Sequence, residues 1–311
     1  MVSRVALGSA GPSDREGLGA GADRAGVRLR HRTRSRCGTK PDQAVARRLA
    51  TTPRGLTVVF SAAGGAALLF VVLPLVQLYA LQDPAALLHA AGDAAVRASV
   101  ALSLEAALVT ALLAGAVGVP LGYLLARRAF RGRSLIEGIV DVPLAVPHTV
   151  VGIALLLVFG RTGIIGAPVE AATGLRFWGT AAGVVVAMLY VSLPYAVDTA
   201  RQAFAAMDPE LELVSRTLGA GAWRTFARVT LPLCWRSIVA GMTMSGARAL
   251  SEFGAIVILA YYPMTAPVKI YDLFLQGGLR DSAAAAVLFL TVTLAIFVGL
   301  RLLVNRREAV E

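Results

Sequence analysis

Residues 98–126 read ASVALSLEAALVTALLAGAVGVPLGYLLA, an apolar run in which Glu105 is the one charged residue. A helix needs about 20 apolar residues to cross the roughly 30 Å hydrocarbon core of a bilayer, and this run is longer than that. A helix also satisfies its own backbone hydrogen bonds in lipid, whereas a membrane barrel needs alternating segments of about ten residues, which the sequence lacks. The run therefore predicts a transmembrane helix.

Five further apolar runs extend this pattern to both sides. They cover residues 56–81, 135–159, 180–197, 238–261 and 283–304, and Pro143 and Pro147 interrupt the second of them. The chain of 311 residues is 57% hydrophobic with a mean hydropathy of +0.69, which excludes a disordered chain and argues against one soluble globule. We therefore expect an all-α membrane protein with six transmembrane helices, built by residues 55–311.

The net charge of +11 is concentrated near the amino terminus, because residues 1–54 carry +8 of it. That segment lacks the apolar core of a signal peptide, so we interpret it as a basic, disordered cytoplasmic tail or an overextended translation start. An RNA- or lipid-binding arm, through the arginines of residues 28–36, is the alternative. No aromatic residue precedes Phe60, so base stacking is unavailable and nucleic acid is not an expected partner.

Basic residues also divide the loops between the runs into two groups. The loops on the side of the two termini carry 15 arginines, including Arg47, Arg48 and Arg54, whereas the loops on the other side carry 5 basic residues. The positive-inside rule therefore places both termini in the cytoplasm, in a multi-pass protein of the cell membrane.

Several motifs of enzymatic catalysis are missing. Lys40 and Lys269 are the only lysines, and neither lies in the GxxxxGK[ST] loop that binds nucleotide phosphates. The sequence has no HExxH zinc helix, and it departs from GxSxG around Ser245. We expect no enzyme activity, no cofactor and no metal site in this chain. An intramembrane enzyme that uses His148, Ser245 or Glu252 is the alternative.

The most informative polar segment follows the apolar run at residues 180–197. Residues 208–232 read DPELELVSRTLGAGAWRTFARVTLP. Asp208 before a proline and an acid is typical of a helix start, and Gly219 is typical of a helix end in the left-handed conformation. A second short helix is expected at 222–230, leading to Pro232. On these features alone, the segment is a pair of amphipathic helices on the membrane surface.

The spacing within residues 208–232 resembles the EAA loop of importer-type ABC permeases. Gly219 and the VTLP of residues 229–232 occupy the matching positions, whereas residues 213–215 read LVS in place of EAA, and Glu212 lies one residue early. The resemblance implies that this loop docks on a separate ATPase subunit. The residues it assigns to ATPase coupling are Glu212, Arg216, Thr217, Leu218, Gly219, Ala220, Trp223, Arg224 and Pro232.

The resemblance covers about residues 97–303. Three stretches are similar to the family in general, namely LGYLLAR at 121–127, DVPLAVP at 141–147 and ARALSEFGA at 247–255. Two others point to branches of it: FGRTG at 159–163 resembles the sulfate and molybdate branch, and AYYPMTAPVKIY at 260–271 resembles archaeal-type molybdate/tungstate permeases.

The resemblance implies a type I ABC importer permease fold and transport of a tetrahedral oxyanion, with molybdate or tungstate first and sulfate as the nearest alternative. It also implies three partners: a second copy of the chain in a homodimer, a cytoplasmic ATPase dimer that binds the ATP, and an extracytoplasmic oxyanion-binding protein. A secondary transporter without an ATPase would use the same six spans.

Two charged residues lie inside the apolar run at residues 238–261, the fifth of the six runs in chain order. Arg248 and Glu252 are four residues apart, so they share one helix face and can pair. We interpret them as a structural ion pair, or as part of the pathway or its gate with Arg248 attracting the oxyanion. His148 follows Pro147, where a broken helix frees backbone N–H groups, and it is the third pathway or gate candidate.

Overall fold

The structure is a computed structural model that describes residues 54–308. The predicted tail lies outside the described residues except for Arg54. The chain divides into residues 1–66 and residues 67–311; the described part of the first unit is the first half of one helix, and the second unit holds all the other elements.

Every regular element within residues 54–308 is helical, which confirms the all-α prediction. The helices are α1 (Arg54–Ala80), α2 (Pro84–Gly92), α3 (Ala94–Arg127), α4 (Arg133–Ala145), α5 (His148–Phe159), α6 (Gly166–Thr173), α7 (Ala181–Ala206), α8 (Glu210–Thr217), α9 (Ala222–Thr225), α10 (Leu231–Leu250), α11 (Ile256–Leu259), α12 (Ala266–Gly277) and α13 (Leu279–Glu308), with a π-helical turn (Phe226–Thr230) between α9 and α10.

Four helices of the described chain are long and apolar enough to cross a membrane, namely α1, α3, α7 and α13. The run at 135–159 is not one straight span, because α4 and α5 meet at an angle of 113°. Pro147 causes this break, since it has no N–H to donate and its ring disfavours helical backbone at Val146, which is extended with ψ of 134°. The bent pair can supply a fifth crossing, and the count of six spans stays a prediction.

The fifth run also differs from the prediction of one helix over residues 238–261. The helix α10 begins earlier, at Leu231, and ends at Leu250, before a turn and the short helix α11. The Glu252 carboxylate accepts the N–H of Ala255 at 2.8 Å, which holds the chain in this turn. Hydropathy measures how apolar a segment is, and an apolar segment can contain such a turn when it is buried in protein.

The expectation of a separate helix at 222–230 is wrong in its second half. Ala222–Thr225 is helical, but the chain then passes through the π-helical turn directly into α10. Pro232 lies in the first turn of α10, where its missing N–H would leave the carbonyl four residues earlier without a partner. The wider turn, in which the Leu231 N–H bonds to the Phe226 carbonyl, lets the helix continue through the proline.

The helices α3, α7 and α10 pack against one another and form the centre of the second unit. Gly118 and Gly122 allow α3 to approach α7 closely. A Cβ atom at Gly122 would lie 2.9 Å from the Val197 carbonyl oxygen and 2.9 Å from the Arg201 nitrogen. Small residues spaced by four therefore set the distance between these helices, as is common in membranes.

Candidate functional site

The helix α8 begins and ends as its sequence predicts. The Asp208 Oδ1 atom accepts the Glu210 N–H at 2.9 Å, and Gly219 has φ of +88°. The Ala220 N–H bonds to the Ser215 carbonyl at 3.2 Å and the Gly219 N–H bonds to the Arg216 carbonyl at 3.0 Å. These two bonds form a Schellman motif, which satisfies carbonyls at the end of the helix and turns the chain toward α9.

Glu212 connects α8 to two other elements. Its Oε1 atom accepts from Arg127 Nε at 3.1 Å and from Thr230 Oγ1 at 3.0 Å, and its Oε2 atom accepts from the Tyr123 hydroxyl at 3.3 Å. The exposed fractions of the Arg127 and Glu212 side chains are 12% and 15%, so the ion pair is mostly shielded from water. Arg127 also donates to the Met207 carbonyl at 3.2 Å. The loop is thereby fixed to the end of α3 and to the π-helical turn.

The predicted docking segment, residues 216–224 and called the docking segment below, lies beyond this attachment. Leu218 and Trp223 are 83% and 78% exposed, and the Trp223 ring stacks on Phe226 at a centroid distance of 5.8 Å. The other exposed members of the predicted set are Arg216, Thr217, Gly219 and Arg224, with Pro232 exposed on α10 and Ala220 half-buried. Large exposed apolar side chains beside arginines are the composition of a protein-binding surface.

The docking segment is also tied to α10. The Ser215 and Thr225 hydroxyls are 3.1 Å apart, which joins α8 to α9, and Thr225 is buried. Because α9, the π-helical turn and α10 are continuous, the docking segment lies at the N-terminal end of α10.

The three pathway candidates meet in one polar cluster, His148–Arg248–Glu252. Arg248 Nη2 donates to Glu252 Oε2 at 3.0 Å and lies 2.9 Å from His148 Nε2. The His148 Nδ1 atom lies 3.2 Å from the same carboxylate oxygen. The same Arg248 Nη2 atom lies 3.2 Å from His148 Nδ1, so the guanidinium contacts both ring nitrogens of the histidine.

Burial differs among the three side chains. Glu252 is 2% exposed, Arg248 is 20% exposed and His148 is 42% exposed. Arg248 lies in the last turn of α10, whereas His148 begins α5, where the first backbone N–H groups have no helical partner. A Cβ atom at Gly254 would lie 2.7 Å from His148 Cβ, so this glycine lets the histidine approach the turn after α10. The cluster has a half-buried histidine ring at its edge and a buried carboxylate behind it.

Ser245, the nucleophile of the enzyme alternative, is not part of this cluster. Its hydroxyl is buried and has no hydrogen-bond partner among the described residues. Within residues 54–308, no group of three or more His, Cys, Asp or Glu residues could hold a metal ion.

Sequence reasoning missed the partners of Glu212. Tyr123 and Arg127 share a face at the end of α3, and Thr230 lies in the π-helical turn. The spacing of four residues between Tyr123 and Arg127 could have indicated their shared face. No local pattern relates this face to Glu212, which lies more than 80 positions away.

The chain is similar to proteins of one family. Residues 118–309 match the family described as binding-protein-dependent transport system inner membrane component. The chain is 42% identical to the molybdate/tungstate transport system permease protein WtpB of Thermococcus kodakarensis, over 81% of this chain and 97% of that relative. It is 36% identical to the molybdenum transport system permease protein ModB of Escherichia coli, over 64% of this chain and 88% of that relative.

The fold is similar to that of a solved transporter. A crystal structure of a bacterial ABC transporter involved in the import of the acidic polysaccharide alginate matches with a TM-score of 0.65 and 17% identity, over 85% of this chain and 98% of that chain. This likeness shows the fold of an ABC importer permease. From the family match and the relatives together, the chain belongs to the family of inner membrane components of binding-protein-dependent transport systems.

Proposed function

We propose that this chain is the membrane permease subunit of an ATP-driven importer for a tetrahedral oxyanion, with molybdate or tungstate as the substrate. The 42% identity to a molybdate/tungstate permease along 97% of that relative's length carries the choice of substrate. Two copies enclose the pathway, both termini lie in the cytoplasm, and an extracytoplasmic binding protein delivers the anion.

The docking segment binds a cytoplasmic ATPase dimer, and the ATP is bound and hydrolysed there. The geometry supports this role because the exposed Leu218 and Trp223 project from a loop that is attached at two points. One attachment is the ion pair between Glu212 on α8 and Arg127 on α3. The other is the continuous helical path from α9 into α10. A force on the segment therefore acts on two packed helices of the membrane domain.

The polar cluster lies at the opposite end of α10 from the docking segment. A helix of 20 residues is about 30 Å long, so α10 reaches from one membrane surface to this cluster. We assign the cluster to the pathway or its gate: an oxyanion at the exposed edge of His148 competes with the Glu252 carboxylate for Arg248. Such a site binds the anion weakly, because Arg248 already has a partner, and weak binding permits release.

Uptake in cells that lack their own oxyanion permeases tests the substrate. Cells that express this chain with its ATPase and binding protein are given labelled molybdate, with unlabelled tungstate, molybdate or sulfate as competitors. We expect tungstate and molybdate to compete strongly and sulfate weakly. Sulfate is the second candidate, because the chain is 34% identical to a probable sulfate transport system permease protein of Chlorokybus atmophyticus. Uptake of labelled sulfate by these cells, with little uptake of labelled molybdate, would assign sulfate as the substrate.

A second experiment tests which subunit hydrolyses ATP. The purified chain should show no ATP hydrolysis, and it should co-purify with the ATPase subunit. Hydrolysis by the chain alone would contradict the proposal, and uptake that continues without any ATPase would indicate a secondary transporter.

A further inference from the structure

We propose that an anionic phospholipid binds in the loop groove, the space between the outer face of α3 and the α8–α9 loop. The groove has a volume of about 1010 Å³ and is lined by apolar residues at one end and by arginines at the other. This division matches an acyl chain with a phosphate headgroup.

The apolar end of the groove follows α3. Gly115, Ala116, Val119, Pro120 and Leu124 line it from the helix. From residue 115 to residue 128, the helix rises about 20 Å, which exceeds the roughly 15 Å of hydrocarbon in one leaflet. An acyl chain can therefore lie along this face from the bilayer interior to the membrane surface.

The basic end of the groove is formed by Arg127, Arg128 and Arg216. The Glu212 carboxylate holds Arg127 in place at 3.1 Å. The side chains of Arg128 and Arg216 form no ion pair within the described residues, and both are exposed. Two positive charges without a carboxylate partner at the end of an apolar groove favour a phosphate that comes with its own apolar chains.

Trp223, a residue of the docking segment, also lines the groove. Indole rings are enriched at the level of lipid headgroups, because they combine an apolar face with one N–H donor. A protein segment in this groove would need an acidic end to match the arginines and a long apolar portion to match α3. A phospholipid has both features in one molecule and is present in the bilayer that surrounds α3.

Native mass spectrometry of the full chain in detergent tests the proposal with two lipids, dioleoylphosphatidylglycerol and dioleoylphosphatidylcholine. We expect the wild-type chain to retain the anionic lipid in preference. Arg128→Gln should weaken its retention about fivefold, the effect of one arginine near a charged headgroup. Arg131→Gln is the matched control, because Arg131 is also exposed but does not line the groove. Arg128→Lys should restore retention.

A second pair of variants tests the apolar end. Ala116→Phe fills the groove and should reduce retention, whereas Val117→Phe, on an exposed position of α3 outside the groove, should not. Soluble glycerol phosphate should not displace the lipid, since it lacks the acyl chains.

Three outcomes would overturn the proposal. Equal retention of the two lipids, or equal effects of Arg128→Gln and Arg131→Gln, would show that the arginine end does not select an anionic headgroup. A lower proportion of dimers for Arg128→Gln and Ala116→Phe, with lipid retention unchanged, would assign the groove to a second copy of the chain.

Discussion

Replacing Glu212 with glutamine should detach the docking loop from the membrane helices while leaving those helices intact. The carboxylate accepts bonds from Arg127, Thr230 and Tyr123, and glutamine cannot pair with the arginine charge. A hydrogen bond to a charged group contributes about 1.5–3 kcal/mol, and breaking a buried ion pair costs about 3–5 kcal/mol. With 12% and 15% of the two side chains exposed, we expect a loss of about 3 kcal/mol in the attachment of α8.

Hydrogen exchange by mass spectrometry measures this loss. A change of about 3 kcal/mol raises the local opening equilibrium roughly hundredfold, so amides of α8 should exchange about a hundred times faster in the Glu212→Gln variant. Glu210→Gln is the control, because Glu210 lies on the same helix and is exposed. Co-purification of the ATPase should fall for Glu212→Gln alone. Equal exchange rates in the two variants would refute the argument that this carboxylate attaches the loop.

Three further predictions concern the helix contacts, the turn and the polar cluster. Gly122→Val should lower the thermal midpoint of the detergent-solubilised chain, because its side chain meets backbone atoms at 2.9 Å, whereas Gly138→Val, with no atom within 4 Å, should change it little. Gly219→Val should weaken co-purification of the ATPase, since a β-branched residue at φ of +88° costs about 1–2 kcal/mol, and Gly219→Asn should restore most of it. Glu252→Gln should abolish oxyanion uptake without lowering the amount of the protein in the membrane, because it leaves Arg248 without a carboxylate. Unchanged uptake would show that the cluster is not part of the pathway.

Local signals predicted those elements whose causes are local. Residues 98–126 became part of α3, because a long apolar run without prolines near its centre can only be satisfied in lipid as a helix. Gly219 ends α8 because the left-handed residue of the Schellman motif favours glycine. In both cases, the residues that determine the structure lie within the element or directly after it.

The break at Pro147, where α4 and α5 meet at 113°, follows from the proline that interrupts the run at 135–159. The turn at Glu252 was missed, because it lies inside an apolar run where hydropathy stays high while the chain changes direction. The meeting of His148 with Glu252 has a non-local cause, since it requires α5 to pack near the end of α10. The polar cluster could be predicted as a pair, Arg248 and Glu252, but its third member required the fold.

The position of these residues along α10 constrains how the two proposed sites communicate. The docking segment precedes α10 without an intervening loop, Arg248 lies in the last turn of α10 and Glu252 follows its end. A rotation of the first turn therefore carries to the cluster through one helix. The π-helical turn at Phe226–Thr230 is the one irregularity on this route, and Thr230 within it bonds to Glu212. The same carboxylate thus fixes both the loop and the joint that leads into α10. Loss of Glu212 should therefore uncouple ATP hydrolysis from uptake more completely than loss of any exposed docking residue.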